Sequence, residues 1–381
     1  MDKPLAGLKV VELARILAGP WAGQLLADLG AEVVKVERPG VGDDTRHWGP
    51  PFVTGLDGAN LDAAYFHACN RGKKSVAIDL GTESGREQVR ALAADADVLI
   101  ENFRPGGLAS YGLDYPSLAA LNPGLVYCSI TGFGQDGPYA PRGGYDFIIQ
   151  GMGGAMSLTG EPDGAPQKSG VAYADLFTGL YATVAILAAL RARDADPAGK
   201  GAHIDMALLD TQVAVLGNQA LSWMASGEVP RRMGNGHMSL VPYQAFKVAD
   251  GEVIVAAGND RQFERLCAIL GLGALAADER FRTNPARVVN RAELLPPLQK
   301  AMLKRRRVEF SVALEAAGIP AGPINPVDAV FADPQVVHRG MRLDLDGIPG
   351  LASPIVIDGK RQVAEGHSPS LGADNALLRG G

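Results

Sequence analysis

The stretch Lys9-Val-Val-Glu-Leu-Ala-Arg-Ile-Leu-Ala-Gly-Pro-Trp-Ala-Gly-Gln-Leu-Leu-Ala-Asp-Leu-Gly-Ala-Glu-Val-Val-Lys-Val-Glu37 decides the fold class. Lys9–Leu13 reads as a short apolar strand. Pro20 suits the first turn of a helix, where its missing N–H costs nothing. The helix reads from Trp21 to Leu29 and stops at Gly30, a residue free to take the left-handed conformation that ends helices. Glu32–Glu37 is then a second strand. A strand, a crossover helix and a strand form a right-handed unit with parallel strands.

Working outward, Lys74–Asp79, Asp97–Glu101 and Leu125–Ile130 also read as strands, and Gly85–Ala94 as a helix. The expected architecture is α/β, with a Rossmann-like large domain built on a mostly parallel sheet. Ligands of such sheets bind beyond the carboxyl ends of the strands. The segments there are rich in Gly, Pro and Arg: Arg15 with Ala18-Gly-Pro20, Arg38 to Arg46, Asn102-Phe-Arg-Pro-Gly-Gly107, and Thr131 to Asp146. Arg38, Arg46 and Arg104 could bind phosphate or carboxylate together, and Asn70-Arg-Gly-Lys-Lys74 adds three cations around a glycine. Each has a plainer reading as a solvated charge. A nicotinamide fingerprint is absent: Leu17-Ala-Gly-Pro-Trp-Ala-Gly23 stands where Gly-x-Gly-x-x-Gly would, and Pro20 lacks an N–H for a pyrophosphate.

Val171–Leu190 is almost wholly apolar or small, yet carries Asp175. An unpaired buried carboxylate is costly. It can cap the helix that follows or do chemistry, and these residues alone leave both open. A membrane span fits by length, but Asp175, Arg191 and Arg193 favour a core helix.

The remaining features set limits. The chain has 381 residues, 47% of them hydrophobic, and a net charge of −6, so nucleic acid is not an expected partner. Cys69, Cys128 and Cys267 have no disulfide or zinc spacing, no metal site is expected, and the start of the chain has no signal-peptide core; a cytoplasmic location is expected. A smaller α+β domain is expected over 225–325, marked by the Asp250-Gly251 turn and helices at 262–269 and 291–303. The large domain takes 1–200 and 326–381, and 201–224 is a linker helix.

Taken together, the motifs resemble the class III CoA-transferases, the superfamily that also holds the alpha-methylacyl-CoA racemases. The resemblance rests on Leu17-Ala-Gly-Pro20, Leu29-Gly-Ala-Glu-Val-Val-Lys-Val-Glu-Arg-Pro39, Gly42-Asp-Asp-Thr-Arg46, Asn70-Arg-Gly-Lys-Lys-Ser75, Glu101-Asn-Phe-Arg-Pro-Gly106, Ser129-Ile-Thr-Gly-Phe-Gly-Gln135 and Asp175 with Thr178-Gly179. His237, Val241-Pro-Tyr-Gln-Ala-Phe-Lys247 and Arg287-Val-Val-Asn-Arg291 resemble the succinate–hydroxymethylglutarate and related dicarboxylate enzymes. The resemblance implies that Asp175 is the nucleophile and that CoA is a substrate, with no permanently bound cofactor. It implies CoA contacts from Arg38, Lys73, Lys74, Asn102, Phe103 and Arg104. The Gly234-Asn235-Gly236 segment with His237 would cover the site, and Arg46 and Tyr145 are candidate contacts for a second carboxylate. It also implies an interlocked homodimer. The racemases place a His where Gly144-Tyr-Asp146 has Tyr145. A phenol of pKa near ~10 is a poor base at neutral pH, so transfer is expected over α-proton exchange.

Overall fold

The computed structural model describes residues 3–56 and 58–379. Contacts divide the chain into a larger unit, made of the residues up to Met156, Lys168–Glu228 and those from Pro334 onward, and a smaller one, made of Ser157–Gln167 and Val229–Asp333.

The larger unit holds a six-stranded sheet of β1 (Lys9–Glu12), β2 (Glu32–Glu37), β3 (Lys74–Ala77), β4 (Val98–Glu101), β5 (Val126–Thr131) and β6 (His203–Ala207). Their order is β3-β2-β1-β4-β5-β6, and every neighbouring pair is parallel. The order reverses between β1 and β4, which opens a crevice beyond the carboxyl ends of those two strands. The segment 201–224 is therefore not a linker. It supplies β6 and then the helix Leu208–Ala214.

Side chains alternate across the strands, and both faces are covered. Val10, Val33, Val98, Ile100, Val126 and Cys128 pack with α1 (Ala18–Asp28) and the long helix α5 (Tyr173–Ala195). Val11, Val34, Leu99 and Tyr127 face the other way, toward α2 (Glu83–Ala94) and α3 (Tyr115–Leu121). Each fully buried Val, Leu or Ile contributes roughly 1.5–3 kcal/mol. Helix α4 (Asp146–Met152) lies between β5 and α5 in sequence. No long helix separates β2 from β3. That excursion holds a short 3₁₀ turn at Asp44–His47, a small hairpin and one helical turn at Ala64–His67. The tail returns to the sheet: Ser75 N–H donates to Asp374 (2.8 Å) and Ala77 N–H to Asn375 (2.7 Å), which covers the outer edge of β3.

Helix α1 begins at Ala18, so Pro20 is its third residue rather than its first; its missing N–H is still one the helix could not use. Gly30, at φ 108°, ends the turn beyond it. The buried residues of α5 include Ala174, Thr178, Gly179, Ala182, Thr183 and Ile186, mostly small. They let α1 approach closely. A Cβ added at Gly179 would stand 2.5 Å from the Ala18 carbonyl oxygen and 3.1 Å from Trp21 Cβ. Asp175 lies one helical turn before Gly179 on the same face, so this contact sets Asp175 beside the amino end of α1.

The smaller unit has an antiparallel sheet of Tyr243–Val248, Gly251–Ala256 and Ala321–Gly322, packed with helices Asp260–Leu270, Arg291–Met302 and Arg307–Ala316. Its core includes Phe246, Val253, Phe263, Leu266, Leu298 and Phe310.

Gly179→Ala is expected to destabilise the protein by about 1–3 kcal/mol, because the obstacle is backbone that cannot swing aside. Urea unfolding would measure this, and activity should fall with it.

Candidate active site

A cavity of about 490 Å³ occupies the crevice at the strand-order reversal. Its walls come from the turn after β1 (Arg15 to Ala18), the loop after β4 (Asn102 to Pro105), the end of β5 (Thr131, Gly132), the loop Arg142–Tyr145, and Asp175 on α5. Two glycines bring the walls together. A Cβ on Gly144 would fall 2.4 Å from Gly132 Cα, and one on Gly132 would fall 2.6 Å from Gly144 Cα. Here backbone touches backbone, and no larger residue fits unless one strand-end loop moves.

Asp175 is the third residue of α5 and not its cap. The cap position is Ala172, which offers no side-chain acceptor. Asp146, from the preceding helix, takes that role: one oxygen accepts from Ala174 N–H at 2.9 Å, and the other from Gln150 Nε2 at 2.7 Å. Among the described residues none donates a hydrogen bond to Asp175. Burial, and then the charge of Asp146, push the Asp175 carboxyl up to about 7. The helix end does not keep it readily ionised, because desolvation and a like charge outweigh the dipole. Tyr65 faces the same region, with its phenol pushed up to about 12 by burial and then by Asp175. Trp48 meets the Tyr65 ring edge-on, with centroids 5.3 Å apart.

Of the residues singled out from sequence, Asn102, Phe103, Arg104, Tyr145 and Asp175 line this cavity. The side chain of Asn102 is already engaged. Its amide accepts from Arg15 N–H (2.9 Å) and donates to Arg15 O (2.7 Å), so it shapes the wall instead of reaching for a ligand. Phe103 N–H donates to the buried Glu101 (2.7 Å), whose carboxyl burial raises to about 7.

The other basic candidates lie elsewhere. Lys73 is interior: its ammonium donates to both Glu12 oxygens (3.0 and 2.8 Å), to Pro20 O (2.8 Å) and to Asn70 Oδ1 (2.9 Å), which leaves no donor for a phosphate. Lys74 pairs with Glu32 at 2.8 Å, at the amino ends of the strands and away from the cavity. Arg71 is buried against Asp28. The Asn70–Lys74 cations are thus directed three different ways and form no cluster. Arg46 is buried as well, bound two-fold to Glu37 (2.8 and 2.6 Å) and to Asp62 (2.6 Å), with its guanidinium 3.7 Å from the centre of the Phe66 ring. It cannot meet a substrate carboxylate. Arg38 is exposed near Asp44 and outside the cavity lining; Asp44 pairs with Arg15 (2.5 Å), which does line it. Gly234, Asn235, Gly236 and His237 belong to the smaller unit, where Gly234 N–H donates to Gly160 O (3.0 Å) and His237 Nδ1 accepts from Ser239 N–H (3.0 Å).

Arg15, Arg142, Asp146 and Tyr65 carry no expected site role from the sequence. Arg15 and Arg142 lay in the strand-end pattern, so position beyond β1 and β5 was a usable signal. Nothing local marked Tyr65.

Arg15, Arg104 and Arg142 line the same cavity as Asp175, so an anion-binding wall borders a carboxylate that is poorly solvated and unpartnered. Such a group can attack an acyl carbonyl. The sequence model of CoA-transferase family III matches residues 5–375. The chain belongs to that family. Among family members, the succinate–glutarate CoA-transferase of Agrobacterium fabrum is 56% identical over 98% of this chain and 94% of its own length. The human succinyl-CoA:glutarate CoA-transferase is 43% identical over 97% and 83%. The solved structure of a CAIB/BAIF family protein from Brucella suis superposes with a TM-score of 0.89 at 58% identity, covering 100% of this chain and 99% of that one.

If Asp175 is the attacking group it must be anionic, and kcat/KM is then expected to rise with pH and level off above about 7. Asp146→Asn removes the like charge and should move that limb to lower pH, as read from pH–rate profiles. The same shift bears on stability. Raised from 3.8 to about 7, the group contributes stability that is fully present below 3.8 and lost as pH rises through about 7. Asp175→Asn should therefore raise the melting temperature more at pH 8 than at pH 5.

Proposed function

We propose that this enzyme transfers CoA from succinyl-CoA to a dicarboxylic acid, glutarate first among them, with Asp175 as the covalent nucleophile. The observation that carries the nucleophile is the unpartnered Asp175 carboxylate in a cavity bordered by three arginines. The donor and acceptor are supported by the relatives named above, which are succinate–glutarate enzymes.

The steps balance without any other reagent. The Asp175 carboxylate attacks the succinyl thioester carbonyl; a C–O bond forms, the C–S bond breaks, and CoA leaves as thiolate, giving a mixed anhydride. The thiolate attacks the aspartyl carbonyl and expels succinate, leaving an aspartyl-CoA thioester. Glutarate attacks that thioester and releases the thiolate again. The thiolate then attacks the glutaryl carbonyl, forms glutaryl-CoA and frees Asp175. Dividing the exchange this way keeps each intermediate activated, so the thioester free energy is retained if water is kept out. Stabilisation of the developing oxyanions is assigned in this proposal to the amino end of α1 and the cavity arginines. Phe103 and Arg104 are the proposed CoA contacts from the large unit, joined by Arg38 near the Arg15–Asp44 pair, and Tyr145 is a proposed acceptor contact. The three buried free cysteines suit a cytoplasmic setting.

A homodimer is part of the proposal. Tyr173, Phe177, Leu180, Tyr181 and Val184 are exposed along one side of α5. By length and composition α5 could also cross a membrane, but a helix shared between core and subunit interface suits its mixed burial better. Light scattering should give twice the 39.8 kDa of one chain.

Asp175→Ala is expected to abolish succinyl-CoA–glutarate exchange, and hydroxylamine added during turnover should mark Asp175 in peptide mass spectra. Near-normal exchange by that variant would sink the nucleophile assignment. In a panel of acids with succinyl-CoA, dicarboxylates should outperform monocarboxylates; the reverse ranking would remove glutarate. Deuterium wash-in at the α-carbon without any acceptor acid would point to racemisation instead.

A further inference from the structure

Ile16 is the only β-branched residue at positive φ among those described, with φ 74°. A branched Cβ is crowded there, so such a residue persists only where its surroundings hold it. It also lines the cavity, immediately before helix α1.

Three side chains from three parts of the sequence hold this turn. Both oxygens of Asp43 lie 3.3 Å from Ile16 N–H. Cys69 Sγ donates to Ile16 O at 3.6 Å. Asn102 clamps both backbone groups of Arg15. Asp43 is itself fixed: it accepts from Thr45 N–H (3.0 Å) and Thr45 Oγ1 (2.8 Å), and it pairs with Lys35 (2.9 Å). It is 1% exposed and does not line the cavity, so it makes no direct contact there, and the turn is its hydrogen-bonded link to the cavity wall.

What the turn sets is the start of α1. Leu17, the cap residue, gives its helix no side-chain hydrogen bond, and Leu17 and Ala18 border the cavity. No side chain of the cap residue engages the first N–H groups of the helix, which lie at the cavity wall. Ala18 O rests against Gly179, one turn from Asp175. A few degrees at Ile16 would swing these donors relative to the Asp175 carboxyl.

We propose that Asp43 is a positioning residue for the transfer reaction: it holds the left-handed Ile16 turn and so aims the amino end of α1 at the reacting carbonyl beside Asp175. This rests on the assignment of Asp175 as nucleophile. The opposing view is that Asp43 only neutralises Lys35.

A double-mutant cycle separates the two. Glycine accepts φ near 74° without strain, so Ile16→Gly makes the clamp dispensable. In the Ile16 background, Asp43→Asn should lower kcat for succinyl-CoA–glutarate exchange by roughly tenfold or more, with little change in KM; in the Ile16→Gly background it should cost less than about threefold. Its effect on melting temperature, which reports the Lys35 contact, should be similar in both backgrounds. Equal kcat losses in the two backgrounds would overturn the proposal, as would a loss confined to KM. If Asp43→Asn folds poorly, Asp43→Glu, which keeps the charge and displaces the acceptor, is read in the same cycle. Asp175→Ala run alongside tests the nucleophile separately: exchange surviving there counts against Asp175, whatever the Asp43 cycle gives.

Discussion

Lys35, with no solvent exposure, sits among Glu12, Asp43 and the carbonyl of Ala14, and the site is assembled over that buried charge. Burial alone would strip its proton, yet Glu12, Asp43 and Glu37 hold it above the ordinary lysine range. Lys73 shares Glu12, and Arg46 is bound to Glu37. Removing one member of such a set leaves an uncompensated interior charge, at a cost on the order of 3–5 kcal/mol. The network joins β1, β2, the loop after β2 and the segment before β3. It does there what an apolar helix does between the other strands: it fastens a long excursion to the sheet.

That network also explains which parts of the site were legible in the sequence. The first β-α-β unit was readable because its strands are apolar runs and Gly30 punctuates the helix. Asp175 stood out because it is the one carboxylate in the apolar stretch Val171–Leu190. The basic loops were visible as an excess of Arg and Lys, but a sequence does not say whether a cation's partner is a ligand phosphate or a buried acid. A usable signal was present in the strands: Glu12, Lys35 and Glu37 interrupt sequences otherwise destined for the interior, and buried acids require cations. Arg46 and Lys73 are those cations. The capping of α5 was beyond local reading, since the acceptor comes from Asp146, 28 residues before the Ala174 it binds.

Small residues and charges divide the work of shaping the cavity. Gly132, Gly144 and Gly179 are places where another chain segment occupies the space of a side chain. They fix the distances between β5, the Arg142–Tyr145 loop, α1 and α5. The side chains that project between them, Tyr145 and Arg142 among them, are more exposed and are free to differ without moving the frame.

The raised pKa of Asp175 bears on the direction in which the proposed anhydride breaks. An anhydride gives up its better leaving group, the conjugate base of the stronger acid. Succinate and glutarate are ordinary carboxylates, while the aspartate ionises only near 7. Thiolate attack at the aspartyl carbonyl therefore expels the weakly basic substrate acid, and attack at the substrate carbonyl must expel a more basic aspartate. In the proposed mechanism, burial of one side chain would bias the first half-reaction toward the enzyme-bound thioester and away from simple return to the starting thioester.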